Sequence, residues 1–317
     1  MAPLVWLVTG TTSGIGRALI EQIVSRGDKV IASGRQVEER LGALKSDSLA
    51  LLELDMTAGP AVMSDKVKEA WSIFGHIDIL LNNAGMSAMR SAEESDESYI
   101  HKMFTVNLFG PMHLTQALLP FLRARTASGT APPARIGFTS SSSAWTPLPF
   151  MSHYASSKAA LSAYVESLHK EVSPLGITCV AFECGGFPTH LGQPRAEGDT
   201  AFASSPTSTG NGAYGKGMAA LGGMFMSDPM AFMPGDLGKV ARGMVDVLKR
   251  EGVAEGRPWA VRVLFGSDAF DSVRQKCEEM LRLTGEWKDV SYGTDRDGYG
   301  HVTRRDYLEF VSILEGK

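Results

Sequence analysis

Tyr154 and Lys158 stand four residues apart at the start of a stretch whose apolar positions, Leu161, Tyr164, Val165 and Leu168, recur with helical spacing. Residues four apart share a helix face, so a phenol and an ammonium can point into one pocket. A neighbouring cation favours phenolate, and the Tyr154 pKa is expected to fall from a free value of about 10. Such a group suits proton donation and acceptance near neutral pH. Thirteen residues before Tyr154, Ser141 closes a run, Ala134 to Thr139, that reads as a buried strand. A serine at a strand's C-terminal end can reach the pocket that the next helix enters. Tyr-x-x-x-Lys alone also describes ordinary surface pairs; the rest of the chain decides between them.

Leu4 to Val8 is a short continuous apolar run, the pattern of a strand buried on both faces of a parallel sheet. Thr9-Gly10-Thr-Thr-Ser13-Gly14-Ile15-Gly16 follows, then a helical stretch from Arg17 to Arg26. Strand, glycine turn and helix form a phosphate cradle. Glycine permits close backbone approach, and a helix N-terminus offers free N–H groups to a pyrophosphate. The spacing is G-x-x-x-G-x-G, not the G-x-G-x-x-G of the common dinucleotide fingerprint.

A second strand, Lys29 to Ser33, is followed by Gly34-Arg35. An acid at this place would accept bonds from the 2′-hydroxyl of NAD, whereas arginine accommodates the 2′-phosphate of NADP. Ser13, in the glycine turn, is a second candidate phosphate ligand. A third strand runs from Leu49 to Leu54 with Asp55 at its end, and a helix is expected over about 60–74. Strand Ile77 to Leu81 leads into Asn82-Asn83-Ala84-Gly85, either a tight turn or a wall of the cofactor cleft. A long helical region over 95–124 contains Asn107, a residue disfavoured in helix interiors unless it bonds to backbone or serves a site. Beyond the Tyr-Lys helix come strand Gly176 to Phe182, helix Gly235 to Lys249, strand Trp259 to Phe265 and helix Asp268 to Leu283. Alternating strands and helices predict an α/β, Rossmann-type doubly wound parallel sheet with helices on both faces.

The 317 residues, 44% hydrophobic and 21% charged, suit one large domain. A net charge of −4 argues against a nucleic-acid surface. Three irregularly spaced cysteines form neither a disulfide framework nor a zinc site. With no basic leader segment and no apolar run long enough to span a membrane, a cytoplasmic protein is expected. Residues 190–234, rich in Gly, Ser, Thr, Pro and Met, read as an irregular segment that closes over the substrate. Adaptable methionines there suit an apolar pocket.

Together these motifs resemble the short-chain dehydrogenase/reductase family, over about residues 4–285. Gly10, Ser13, Gly14, Ile15 and Gly16 match its cofactor turn. Asp55 matches the acid that contacts adenine, and Asn83, Ala84 and Gly85 belong to its wall motif. Asn107, Ser141, Tyr154 and Lys158 match its catalytic set in identity, order and spacing. Phe187 and Thr189 fall where the family binds the nicotinamide carboxamide. One departure is Cys184-Gly185 where Pro-Gly is usual, which removes a fixed φ; Cys184 itself reads as a small buried residue rather than a reactive thiol. In this family, Arg35 with Ser13 implies NADP.

The resemblance implies hydride transfer between nicotinamide and a carbonyl. Tyr154 would give the proton, Ser141 would hold the oxygen, and Lys158 would bind the nicotinamide ribose. Asn107 would hold a water that links Lys158 to solvent. His153, about 100° round the helix from Tyr154, reads as pocket wall or surface. Trp145, Leu148, Phe150, Met151 and Phe187 suggest a bulky apolar substrate such as a secondary metabolite, steroid or retinoid. Reduction of a C=C bond and ligand binding without redox chemistry are the alternatives. The expected domain is 1–285, with a C-terminal tail, 286–317, packed on it or on a neighbouring subunit of a homo-oligomer. Asp295 to Asp306 imitates a calcium loop. Tyr299 at its fifth position, Asp306 at its twelfth, three arginines and the absence of an entering helix over Val290 to Thr294 argue against a metal.

Overall fold

The computed structural model describes residues 2–129, 132–189, 191, 212–227 and 232–297. Seven parallel strands form one sheet in the order β3-β2-β1-β4-β5-β6-β7. They are β1 (Val5–Thr9), β2 (Lys29–Gly34), β3 (Leu49–Glu53), β4 (Ile79–Asn82), β5 (Ala134–Ser141), β6 (Ile177–Cys184) and β7 (Arg262–Phe265). The strand order reverses between β1 and β4, so the turns after these two strands diverge and leave a crevice at their C-terminal ends. The doubly wound parallel sheet expected from the sequence is present.

One face of the sheet is covered by α1 (Gly14–Ser25), α2 (Val37–Leu41) and α8 (Leu237–Lys249). There Leu19, Ile23, Met244 and Leu248 pack against Trp6, Val8, Val30 and Leu81. The other face is covered by α3 (Pro60–Phe74), α5 (Gly110–Ala127) and α6 (Ser152–Val172), with Val67, Leu118, Leu122 and Val165 against Leu7, Leu80 and Phe138. Burial on both faces explains why β1 and β4 are buried at every position and read as unbroken apolar runs.

The region over 95–124 is helical as expected, with α4 (Glu97–Phe104) and α5 joined without a break by a π-helical turn, Thr105–Phe109. Gly110 N–H bonds back to Thr105 O, and Pro111, which has no N–H to give, follows at the start of α5. The Met-rich segment contains a helix, α7 (Gly215–Ser227), where an irregular chain was expected; residues 190, 192–211 and 228–231 lie outside the described residues. Beyond β7, α9 (Ser267–Glu286) is followed by a short helix, α10 (Lys288–Tyr292), in the segment expected to be non-helical. The calcium-like loop lies outside the described residues from residue 298 onward.

Candidate active site

The glycine turn after β1 and the wall motif after β4 are built against each other. Gly10 has φ +70° and Gly14 φ +56°, values open to glycine. A methyl group on Gly10 would meet the Ala84 Cα at 2.6 Å, and one on Gly16 would meet the Gly10 carbonyl oxygen at 2.1 Å. Thr9 ties the two segments: its Oγ1 accepts from the N–H groups of Asn83 at 3.0 Å and Ala84 at 2.9 Å. The Asn83 amide donates to the carbonyls of Thr9 and Gly10. Ile15 is buried in the core, so its side chain anchors α1 while its backbone remains in the first turn.

Ser141, Tyr154 and Lys158 converge at the C-terminal end of β5, beside that crevice. All three are buried, at 7%, 6% and 3% exposure. Lys158 Nζ donates to the Thr139 carbonyl at 2.7 Å and lies 3.5 Å from the point where a Gly85 Cβ would sit. The helix that carries both side chains is fixed from behind. Ser140 Oγ donates to the Lys158 carbonyl and bonds Ser162 Oγ at 2.8 Å. Ser162 donates to Glu183, a 1% exposed carboxylate that also receives Trp145 Nε1 at 2.8 Å and Arg262 Nη1 at 2.8 Å.

The Tyr154 pKa runs opposite to the expectation. Burial pushes it up to about 12, against the pull of its hydrogen bond with Ser141. Burial also draws Lys158 down to about 8. A dry pocket disfavours both charges, and Lys158 Nζ, committed to Thr139, stands 5.9 Å from the Tyr154 ring centre. Burial thus favours the neutral phenol.

Asn107 occupies the π turn, fully buried. Its Oδ1 accepts from Met86 N–H at 2.9 Å, and its Nδ2 donates to Met86 O at 2.9 Å and to Ser157 Oγ at 3.1 Å. It thus locks the chain just after the wall motif onto α4 and α6. Its carboxamide oxygen is 3.4 Å from the position a Gly85 Cβ would take, as near as the Lys158 ammonium.

A cavity of about 270 Å³ opens along the crevice, lined among others by Gly10, Thr12, Arg35, Arg40, Asp55, Ala84, Gly85 and Lys102. Arg35 is exposed at its rim, and Asp55 accepts from Thr57 N–H and Oγ1, both at 2.8 Å. Ser13 does not line this cavity; it takes the N-cap position of α1 with extended backbone. Thr12 lines it instead. Sequence reasoning missed Arg40 and Lys102, whose helical context reads as ordinary surface charge. It also missed Glu183 and the tie from Thr9 to the wall motif, although a lone acid near the end of the apolar run of β6 was a usable signal.

A model of the short chain dehydrogenase family matches residues 4–200. The chain belongs to that family. Oxidoreductase BOA17 of Botryotinia fuckeliana is 27% identical over 290 residues, which is 90% of this chain and 97% of that protein. Several other curated relatives match over only about half to two thirds of their own length. A short-chain dehydrogenase from Streptomyces avermitilis superposes with a TM-score of 0.77 at 30% identity, covering 93% of this chain and 99% of that one. A 3-ketoacyl-(acyl-carrier-protein) reductase from Brucella melitensis, complexed with NADH, shares the fold with a TM-score of 0.65 at 22% identity, over 84% of this chain and 98% of its own.

Against this short-chain dehydrogenase frame, the altered turn after β6 is well ordered by its neighbours. Cys184 is buried and pushed up to about 12 by that burial, so it is a packing residue, as expected. Thr189 reaches over the cofactor turn, its Cγ2 lying 3.1 Å from where a Gly14 Cβ would be. Thr189 N–H donates to the Phe187 carbonyl at 2.8 Å. The Phe187 ring packs on Gly235, and Trp145 lies under the Arg262 guanidinium at 4.9 Å; both residues stay partly exposed. His153 is half-buried with its ring edge-on to Tyr99 at 6.0 Å. Among the described residues no helix is long and apolar enough to cross a membrane.

Proposed function

We propose that this short-chain dehydrogenase is an NADPH-dependent reductase that delivers a hydride to the carbonyl of a bulky apolar small molecule, or runs the reverse oxidation. The observation that carries the reading is the convergence of buried Ser141, Tyr154 and Lys158 at one end of the crevice, with Lys158 Nζ beside Gly85 of the wall motif. The crevice fits a dinucleotide. Gly10 and Gly16 could not carry a methyl group without striking the facing wall, its helix N-terminus suits a pyrophosphate, and Arg35 and Arg40 both line it.

When bound, the nicotinamide supplies the hydride. Tyr154 Oη donates its proton to the carbonyl oxygen as negative charge develops there. Ser141 Oγ holds the same oxygen, and the two donors act in a site that excludes water. Lys158 Nζ offers its remaining protons to the ribose hydroxyls and stabilises the tyrosinate left after transfer. Asn107 keeps the wall and α6 in register and, we propose, holds the water through which Lys158 exchanges protons with solvent.

NADP over NAD rests on Arg35 and Arg40, whose charges match a 2′-phosphate; Ser13 and Thr12 are the candidate hydroxyl partners. Asp55 is assigned to the adenine, and Phe187 backbone with Thr189 to the carboxamide. An apolar substrate is supported by what surrounds Tyr154: Met86, Tyr99 and Met103, with Met151 and Leu191 packed against them. The ring of Phe150, set at φ +64°, packs edge-on to Tyr214 at 6.3 Å.

The test is Tyr154→Phe. With NADPH and a panel of aromatic and polycyclic ketones, the wild type is expected to oxidise NADPH. The variant should bind NADPH normally and turn over at least about 100-fold more slowly, the low end of a general-acid contribution. Undiminished turnover in the variant would refute the assignment.

A further inference from the structure

The turn Cys184-Gly185-Gly186 has no proline to fix its backbone, and Asp268 stands against it from another part of the chain. Asp268 lies in the first turn of α9, 82 residues further on. Its Oδ2 accepts the Gly186 N–H at 2.7 Å. The carboxylate is so close that a methyl group on Gly185 would fall 2.3 Å from its oxygens, and one on Gly266 2.5 Å from Oδ1. Two glycines thus make room for one acid. The same turn is held from two more sides: Gly185 N–H donates to Phe265 O at 2.8 Å, and Gly186 O accepts from Gly235 N–H at 3.0 Å.

Asp268 Oδ1 is buried and has no hydrogen-bond partner. A helix cap or a surface acid would keep that oxygen in water, where it costs nothing. Its burial follows from pushing the carboxylate into the turn far enough to reach Gly186. One and three residues beyond Gly186 are Phe187 and Thr189, the latter seated over the first turn of α1.

We infer that Asp268 is a positioning residue for the nicotinamide end of the cofactor site, holding Gly186 so that Phe187 backbone and Thr189 meet the ring's carboxamide. This rests on the cofactor reading above. Asp268 touches no reacting atom; it fixes the turn through a charge-assisted bond.

Asp268→Ala and Asp268→Asn are titrated with NADPH and with 2′-phospho-ADP-ribose, which is NADPH without its nicotinamide. Asp268→Ala should weaken NADPH about tenfold or more, the effect of losing a charge-assisted bond, and leave 2′-phospho-ADP-ribose within about twofold, since that fragment lacks the carboxamide that Phe187 backbone and Thr189 would hold. Asp268→Asn keeps an amide oxygen that can accept from Gly186. It should show a smaller loss, about threefold and again for NADPH alone, which decides the matter if the alanine variant does not fold. Equal losses for both ligands, as a general loosening of the fold would give, or no loss for NADPH, overturns the assignment. Wild-type protein that binds neither ligand overturns the cofactor reading, and this inference with it.

Discussion

Asn107→Ala removes a side chain that closes two bonds of 2.9 Å onto the amide and carbonyl of Met86. Asn107 has no solvent exposure and Met86 only 6%, so neither backbone group gains water in exchange. Each buried polar group left unpaired costs about 1–3 kcal/mol, giving about 2–6 kcal/mol for the pair before any cavity is counted. The expected fall in thermal midpoint is on the order of 3–9 °C. Asn107→Asp separates the two bonds. One carboxylate oxygen still accepts from Met86 N–H, but the other faces the Met86 carbonyl and repels it. Protonated, the same oxygen donates. The folded-state pKa of the introduced carboxyl group is therefore raised above its unfolded value of about 3.9. The stability it supplies is present in full below that unfolded pKa and lost as pH rises through the folded one. Thermal unfolding followed from pH 5 to 8 should show the gap between Asn107→Asp and wild type widening with pH. An alanine variant within about 1 kcal/mol of wild type, or an aspartate variant that closes the gap as pH rises, would refute the reasoning.

Arg35→Asp should weaken NADPH by about 10- to 150-fold, the range for a lost charge-assisted contact, and spare or strengthen NADH; a wild type that prefers NADH contradicts the cofactor reading. In native protein at pH 8, a thiol reagent should modify Cys277, which is exposed, and spare Cys179 and Cys184, which are buried with their pKa values pushed up. Three equivalents reacting at one rate, without denaturant, would show that the turn beside Cys184 opens freely.

Local spacing made much of this legible in the sequence. The glycine turn, the wall motif, and the Ser141, Tyr154 and Lys158 set each follow a strand or open a helix whose apolar pattern is plain. What depends on distant partners was not legible. Asn107 sits in a π turn because of bonds to Met86 and Ser157, the latter 50 residues away, and helical periodicity cannot register such a shift. The sequence shows that Lys158 neighbours Tyr154 but not how dry both become, so the sign of the Tyr154 pKa shift came out reversed. Gly215, Gly217, Gly222 and Gly223 disguise α7 as irregular chain, since glycine is a poor helix former that tertiary packing can override. Asp268 reads as an ordinary first-turn acid until the fold brings it to Gly186.

The proposed reaction sends a hydride to a carbonyl carbon while Tyr154 protonates the oxygen. It is tested most directly by following the label from NADPH deuterated at C4 of the nicotinamide, using each of the two C4 epimers with a ketone the enzyme accepts. One epimer is expected to place deuterium on the carbinol carbon of the product, with a single configuration there, and Tyr154→Phe should abolish that transfer without abolishing NADPH binding. Deuterium on the β-carbon of a product whose carbonyl is intact, or transfer that survives the loss of the Tyr154 hydroxyl, would contradict this reaction.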